Sequence, residues 1–170
     1  VTDDDGRYLV PDLPEADYEL WVRGYGLADS AKVSGERGST VDLTAVVAPS
    51  EAVAAQVYPA AAWYAMMHLP AENELGHVPG GLNEYLGVMK NQSCVGCHQL
   101  GNLATRTIPE ALGEFESGQD AWVRRVQSGQ AAGQMINVLA GRLGGVPLKY
   151  LADWTDRVAA GETPSWTPDR

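Results

Sequence analysis

Positive charge is scarce in this chain, cysteine scarcer, and no long apolar run occurs. Twelve Lys and Arg stand against 22 Asp and Glu, a net charge of −10 over 170 residues. Phosphate binding needs a positive face, so nucleic acid is not an expected partner, and an anionic membrane surface is disfavoured on the same ground. No apolar stretch approaches the roughly 20 residues of a membrane-spanning helix. Two cysteines are too few to mark an oxidising compartment. No secretory leader is visible. The first residues, VTDDDGRYLV, already read as the interior of a β-structure, so the expectation is a piece of a longer protein.

What is present describes a folded chain: 45% hydrophobic and 20% charged residues. Its length suits one ordinary domain or two small ones. Charge is unevenly spread. Residues 1–78 carry 13 acidic against 4 basic side chains, and residues 79–170 carry 9 against 8. That shift predicts two domains.

The first half carries strand signals. Asp5-Gly6 is a tight-turn pair, and Pro11-Asp12-Leu13-Pro14 is turn chemistry. Between Asp17 and Arg23, Tyr18, Leu20 and Val22 alternate with Glu19, Trp21 and Arg23, the period of a half-buried strand. A further strand is expected over 39–48, with Val41, Leu43 and Val47 on one face. Trp21, Tyr18 and Tyr25 are expected to pack in core and sheet, with docking of sugars or another subunit as the functional alternative. Asp3-Asp4-Asp5 reads as a solvated turn rather than a calcium site.

The stretch DDDGRYLVPDLPEADYELWVRGYG resembles the carboxypeptidase regulatory-like modules, small transthyretin-like β-sandwiches with an Asp-Gly-x-Tyr turn, a Leu-Pro turn and a Tyr-x-Leu strand. The resemblance covers residues 1–48 and implies a partial antiparallel sandwich, because the strands that normally precede the Asp-Gly turn are missing. Residues 49–79 read as a connector, with Ser50 capping a short helix through Glu51–Val57 and the apolar YPAAAWYAMMHLP packed between domains.

The second half reads as helical. Leu82, Tyr85, Leu86 and Met89 recur at helical spacing, a helix starts near Asp120 with Trp122, Val123 and Val126 on one face, and a longer one runs from Pro147 with Leu148, Leu151, Trp154 and Val158 aligned. Between the first two lies SCVGCHQL, residues 93–100, which holds both cysteines and one of three histidines. Three chemistries fit such a cluster. A structural zinc needs four ligands, and Cys94, Cys97 and His98 with His68 or His77 supply them only if adjacent Cys97 and His98 reach one ion. A thiol–disulfide site belongs at a helix start after a strand of a βαβ unit, and no parallel-sheet pattern surrounds this one. Two ordinary thiols are the bland alternative. Cys-x-x-Cys-His is also the attachment motif of c-type haem, with Cys94 and Cys97 one helical turn apart and His98 beside them.

The order helix, CVGCH, helix, methionine, helix across residues 80–162 resembles a class I cytochrome c. That resemblance implies one covalent haem c on Cys94 and Cys97, with His98 as the proximal iron ligand. It makes Met135, before the last helix, the distal ligand, and has the carbonyl of Pro109 orienting the His98 imidazole. His68 and His77 are the alternative distal ligands, which would lower the potential. Leu100, Leu103, Ile108, Trp122, Val126, Leu139 and Leu143 are candidates for the apolar wall, and Arg106, Arg124, Arg125 and Arg142 for pairing with the haem carboxylates.

The expected fold class is therefore α+β in two domains: a partial β-sandwich (1–48), a connector (49–79), an all-α cytochrome c fold (80–162) and a linker or tail (163–170). The expected function is outer-sphere electron transfer with a redox partner protein or enzyme subunit, without a membrane span in this chain. WVRGYGLADS, YPAAAWYAMMHLP and CVGCHQLGNLATRTIP together resemble large periplasmic oxidoreductases that also carry a streptogramin-lyase-like β-propeller, which implies a periplasmic location. No propeller repeat occurs in these 170 residues. The alternatives are a β-sandwich scaffold with a structural Cys-His metal or thiol site, and a haem enzyme such as a peroxidase with a displaceable distal ligand.

Overall fold

The structure, a computed structural model, describes residues 2–165. The chain divides into two units, Val1–Val57 and Tyr58–Arg170. It is a mixed α and β structure, and among the described residues no sheet closes on itself. Of the tail read at 163–170, residues 166–170 lie outside the described residues.

In the first unit the Asp-Gly turn is organised by one carboxylate. Asp3 Oδ1 accepts from the backbone N–H of Asp5 at 3.1 Å and of Arg7 at 2.7 Å, and Gly6 takes φ 79°, where an L side chain is strained. Short strands follow: β1 (Tyr18–Leu20), β2 (Leu27–Ala28), β3 (Val33–Gly35) and β4 (Val46–Val47). β1 pairs antiparallel with β3, Tyr18 opposite Gly35, and β2 pairs antiparallel with β4. The alternation around β1 holds, since Tyr18, Leu20 and Val22 are half-buried while Glu19, Trp21 and Arg23 are exposed.

Two expectations fail here. The strand read over 39–48 shrinks to β4, and Val47 is 77% exposed instead of facing inward. Trp21 and Tyr25 are exposed rather than packed, because a two-stranded ladder offers no second layer to cover them. Cations attend the Trp21 ring instead, Arg23 at 5.8 Å and Lys32 at 5.5 Å from its centroid. The helix α1 (Glu51–Ala55) closes the unit, with Ser50 Oγ accepting from Val53 N–H as the sequence predicts.

The second unit is helical. It contains α2 (Ala60–Ala65), a 3₁₀ turn at Glu72–Leu75, α3 (Gly81–Leu86), α4 (Cys94–Cys97) and α5 (Leu103–Arg106). A 3₁₀ turn at Glu110–Leu112 leads to α6 (Gly118–Val126), α7 (Ala132–Ile136) and α8 (Val146–Ala159). Both α3 and α7 run on into wide π-helical turns, Gly87–Gln92 and Asn137–Arg142. The first closes with Ser93 N–H on Val88 O at 3.3 Å and the second with Leu143 N–H on Val138 O at 3.1 Å. Such wide turns concentrate at functional positions. One delivers the chain into Cys94, and the other follows Met135.

The core gathers buried side chains from α3, α6, α8 and the two wide turns. Tyr85, Val88, Met89, Leu143 and Trp154 are fully buried, and α6 lies along α8 with Trp122 Nε1 donating to Thr155 Oγ1 at 3.0 Å. Residues 58–79, read as connector, supply Met67, Leu75 and Val78 to this same core, and Trp63 is buried as well. Trp154 donates its indole N–H to Trp63 O at 2.9 Å and meets the Tyr64 ring edge-on, centroids 6.0 Å apart.

Glu74 pins that segment to α8. Its carboxylate accepts from Lys149 Nζ at 2.7 Å, from the Tyr150 hydroxyl and from Ala71 N–H at 3.0 Å. The Lys149 bond first, then Tyr150 and the backbone amide, pull its pKa down to about 2. A carboxylate depressed in the folded state stabilises above its unfolded pKa, and that contribution is lost as pH falls through the folded value. Stability measured by chemical unfolding is therefore expected to drop between about pH 4.5 and pH 2. In Glu74→Gln that part of the drop disappears; an unchanged profile in the variant would contradict the pin.

Candidate functional site

The wide turn after α3 brings Met89 under the start of α4. Met89 is fully buried, and the Cys94 thiol lies 3.8 Å from its Sδ. Cys94 is half-buried and packs against the core, while Cys97, at the other end of the single turn, is exposed. Both thiols are free. The turn ends as His98 N–H donates to Cys94 O at 2.9 Å, and His98 takes extended backbone angles, φ −127° and ψ 132°. Its side chain is exposed, and none of the described residues forms a hydrogen bond with the ring. Among the described residues, the Cys97 thiol and the His98 imidazole are thus exposed, and the Cys94 thiol has the Met89 thioether as its neighbour.

Burial, and then the neighbouring Cys97, push the Cys94 thiol above its usual range. A thiol–disulfide catalyst needs the opposite, a thiol lowered by its surroundings. Among the described residues no three His, Cys, Asp or Glu side chains converge on a metal position.

The segment after His98 is held firmly. Gly101 has φ 93°, and a side-chain carbon there would come within 2.0 Å of Ala60 O, so only glycine lets this segment lie against α2. Thr105 is buried, and its Oγ1 accepts from Gly101 N–H at 2.9 Å. Arg125, reaching from α6, donates to Thr107 O at 2.5 Å and to Ala104 O, with its guanidinium 4.8 Å from the Trp122 ring centroid. Arg106 stacks on Trp63 at 3.9 Å and donates to Gly101 O at 2.8 Å. Burial pulls both guanidiniums below their usual pKa.

Met135 sits on α7, half-buried against the same core as Cys94. Pro109 is exposed, and its carbonyl accepts from Leu112 N–H at 3.0 Å, opening the 3₁₀ turn. Of the candidate wall, Trp122, Val126, Leu139 and Leu143 are in the core and Ile108 packs on it. Leu103 does not join them: it is 64% exposed, because α5 is a single turn whose buried side is taken by Thr105.

The other histidines are engaged elsewhere. His68 Nδ1 lies 3.0 Å from Asp153 Oδ2, a carboxylate shared with Arg157, and the His77 ring rests against Gly144, where a side-chain carbon would come within 2.1 Å of Nε2. Arg142 is bound to Glu84.

Searches against family models, curated proteins and solved structures return no match to this chain.

Met89 and Tyr64 were not legible as site neighbours. Met89 stands five residues before Cys94, which on a regular helix would not turn its sulfur under that thiol, and the wide turn changes this. Tyr64 reaches the same place from the supposed connector, its hydroxyl donating to Met89 O at 3.0 Å. The donor set itself is chemically suited to a covalently held haem: two reduced thiols within one turn, an unengaged imidazole next to them and a half-buried thioether on the same core.

Proposed function

We propose that residues 80–162 are a class I cytochrome c domain whose function is electron transfer through one covalently attached c-type haem. The observation that carries this reading is the pair of free thiols on the single turn Cys94–Cys97, with the unengaged His98 imidazole directly after it. Cys94 and Cys97 would hold the group through two thioether bonds, for which both cysteines must be free thiols, as they are here. When bound, haem supplies a one-electron exchange between ferrous and ferric iron. His98 would supply an imidazole nitrogen and Met135 a thioether sulfur to the iron. The clamps of Arg125, Arg106 and Gly101 keep the segment behind His98 from fraying, and Trp122, Val126, Leu139 and Leu143 exclude water, which disfavours the more highly charged ferric state.

Residues 1–48 fit, on this reading, a partial carboxypeptidase regulatory-like sandwich, and the whole is the cytochrome portion of a periplasmic oxidoreductase that meets a redox partner protein or enzyme subunit. The exposed Leu9, Trp21 and Val47 favour a second role for the first unit as a docking module.

Protein made in a haem-maturing host tests the proposal by reversible reductive titration with absorption spectra. The expected result is one one-electron transition, with a long-wavelength sulfur–iron band in the oxidised form. Met135→Ala is expected to lose that band, lower the potential and gain binding of small ligands that the parent refuses. A parent that already binds them is an enzyme-like haem protein, and colourless protein overturns the reading in favour of a scaffold.

A further inference from the structure

Gly101, three residues after His98, is fastened at both of its backbone polar groups. Its N–H donates to the Thr105 hydroxyl at 2.9 Å, and its carbonyl accepts from Arg106 Nη1 at 2.8 Å. Its Cα lies so close to α2 that an added side-chain carbon would come within 2.0 Å of Ala60 O. The Thr105 hydroxyl has one proton to give, and Asn102 O at 3.1 Å and Gln99 O at 3.4 Å both lie within its reach. Between His98 and this fixed point stand Gln99 and Leu100, drawn into a tight turn by Leu100 N–H donating to His98 O at 3.0 Å. On the other flank, His98 N–H donates to Cys94 O at 2.9 Å.

Packing does not ask for this hydroxyl. Thr105 is 7% exposed, and valine has nearly the same shape with no polar atom to satisfy. The other buried threonine among the described residues, Thr155, receives the Trp122 indole N–H and so ties α6 to α8. The side-chain bonds of Thr105 go instead to residues 99–102, the turn that follows His98. We infer that Thr105 is a positioning residue for the His98 imidazole: its hydroxyl fixes the loop behind the ring, with Arg106 as a second fastening. The inference rests on the haem reading and adds to it a residue outside the attachment motif. A ligand whose backbone is set on both flanks loses less conformational freedom on meeting the iron and keeps its ring in fewer orientations.

The test compares Thr105→Val with Thr105→Ser, which keeps the hydroxyl, in the full chain made in a haem-maturing host. In the reduced protein, amide hydrogen exchange at Gly101 should run about fivefold or more faster in Thr105→Val than in the parent, the change that goes with one lost hydrogen bond. Thr105→Ser should stay near the parent. In the oxidised protein, electron paramagnetic resonance reads the axial ligands of the iron. The parent should give one set of low-spin signals, Thr105→Val a broadened or split set, and Thr105→Ser the parent's again. Should Thr105→Val fail to fold, Arg106→Met decides with the same broadening expected, since it keeps a long side chain on Trp63 and removes the donor to Gly101 O. A threonine that serves stability alone would lower the unfolding midpoint of Thr105→Val and leave the signals unchanged, which overturns the inference. Unprotected exchange at Gly101 in the parent overturns it too. Attached haem with unmoved signals defeats this inference only; absence of attached haem defeats it together with the haem reading.

Discussion

With Cys94 and Cys97 both replaced by alanine, no haem remains on the chain after denaturation and acid–solvent extraction, while the parent keeps its colour through the same treatment. The whole effect rests on two carbon–sulfur bonds, which denaturation does not break and which no other residue can replace, because these are the only cysteines in the chain. The single variants separate chemistry from folding. Cys97 is exposed, so Cys97→Ala should leave the fold intact and lose one thioether. Cys94 packs on the core beside Met89, so Cys94→Ala loses its thioether and some packing as well. Absorption in alkaline pyridine reads the difference, since a haem that keeps one vinyl group absorbs at longer wavelength than one that keeps none. Haem that survives extraction from the double variant would place the attachment elsewhere.

Trp154→Ala is expected to be the most damaging single core change. The side chain is fully buried at the centre of the second unit, donates to Trp63 O and holds Tyr64 edge-on. Truncating a buried tryptophan costs about 3–5 kcal/mol. Set against a typical stability of about 5–15 kcal/mol, that removes much of the margin. Denaturant unfolding should show the midpoint moving far down, and Trp154→Phe should lose less, because it keeps most of the volume and gives up the indole N–H. A cost below about 1 kcal/mol for the alanine variant, less than such a truncation carries, would mean that α2 and α8 do not share the core described here.

The helical faces were legible because burial and helical period coincide. Leu151 and Trp154 on α8, Trp122 and Val126 on α6, and Tyr85 and Met89 around α3 all lie on the faces their spacing predicts. The Ser50 cap was legible too, whereas α6, read as starting near Asp120, begins at Gly118 with Ser117 as its cap. What spacing cannot carry is long-range pairing. YPAAAWYAMMHLP reads as an apolar connector, yet Met67 belongs to the core and Trp63 is buried, its carbonyl meeting Trp154 some 90 residues away in sequence. Arg125 reads as a candidate partner for haem carboxylates until Thr107 O and Trp122 are seen on either side of it. In the first unit the alternation of β1 was clear, but the number of strands that pair was not, so the exposure of Trp21 and Val47 was missed. At the site, the motif residues were fully legible as a pattern. Their surroundings, Met89 beneath Cys94, depend on a wide helical turn that has no signature in the residues that form it.

The central claim is a haem joined to this chain by Cys94 and Cys97, and the absorption spectrum of the reduced protein in alkaline pyridine tests it most directly. Protein from a haem-maturing host should give the band of a haem with both vinyl groups saturated, at one haem per chain. A spectrum without haem, or that of a haem with both vinyl groups intact, would contradict the account.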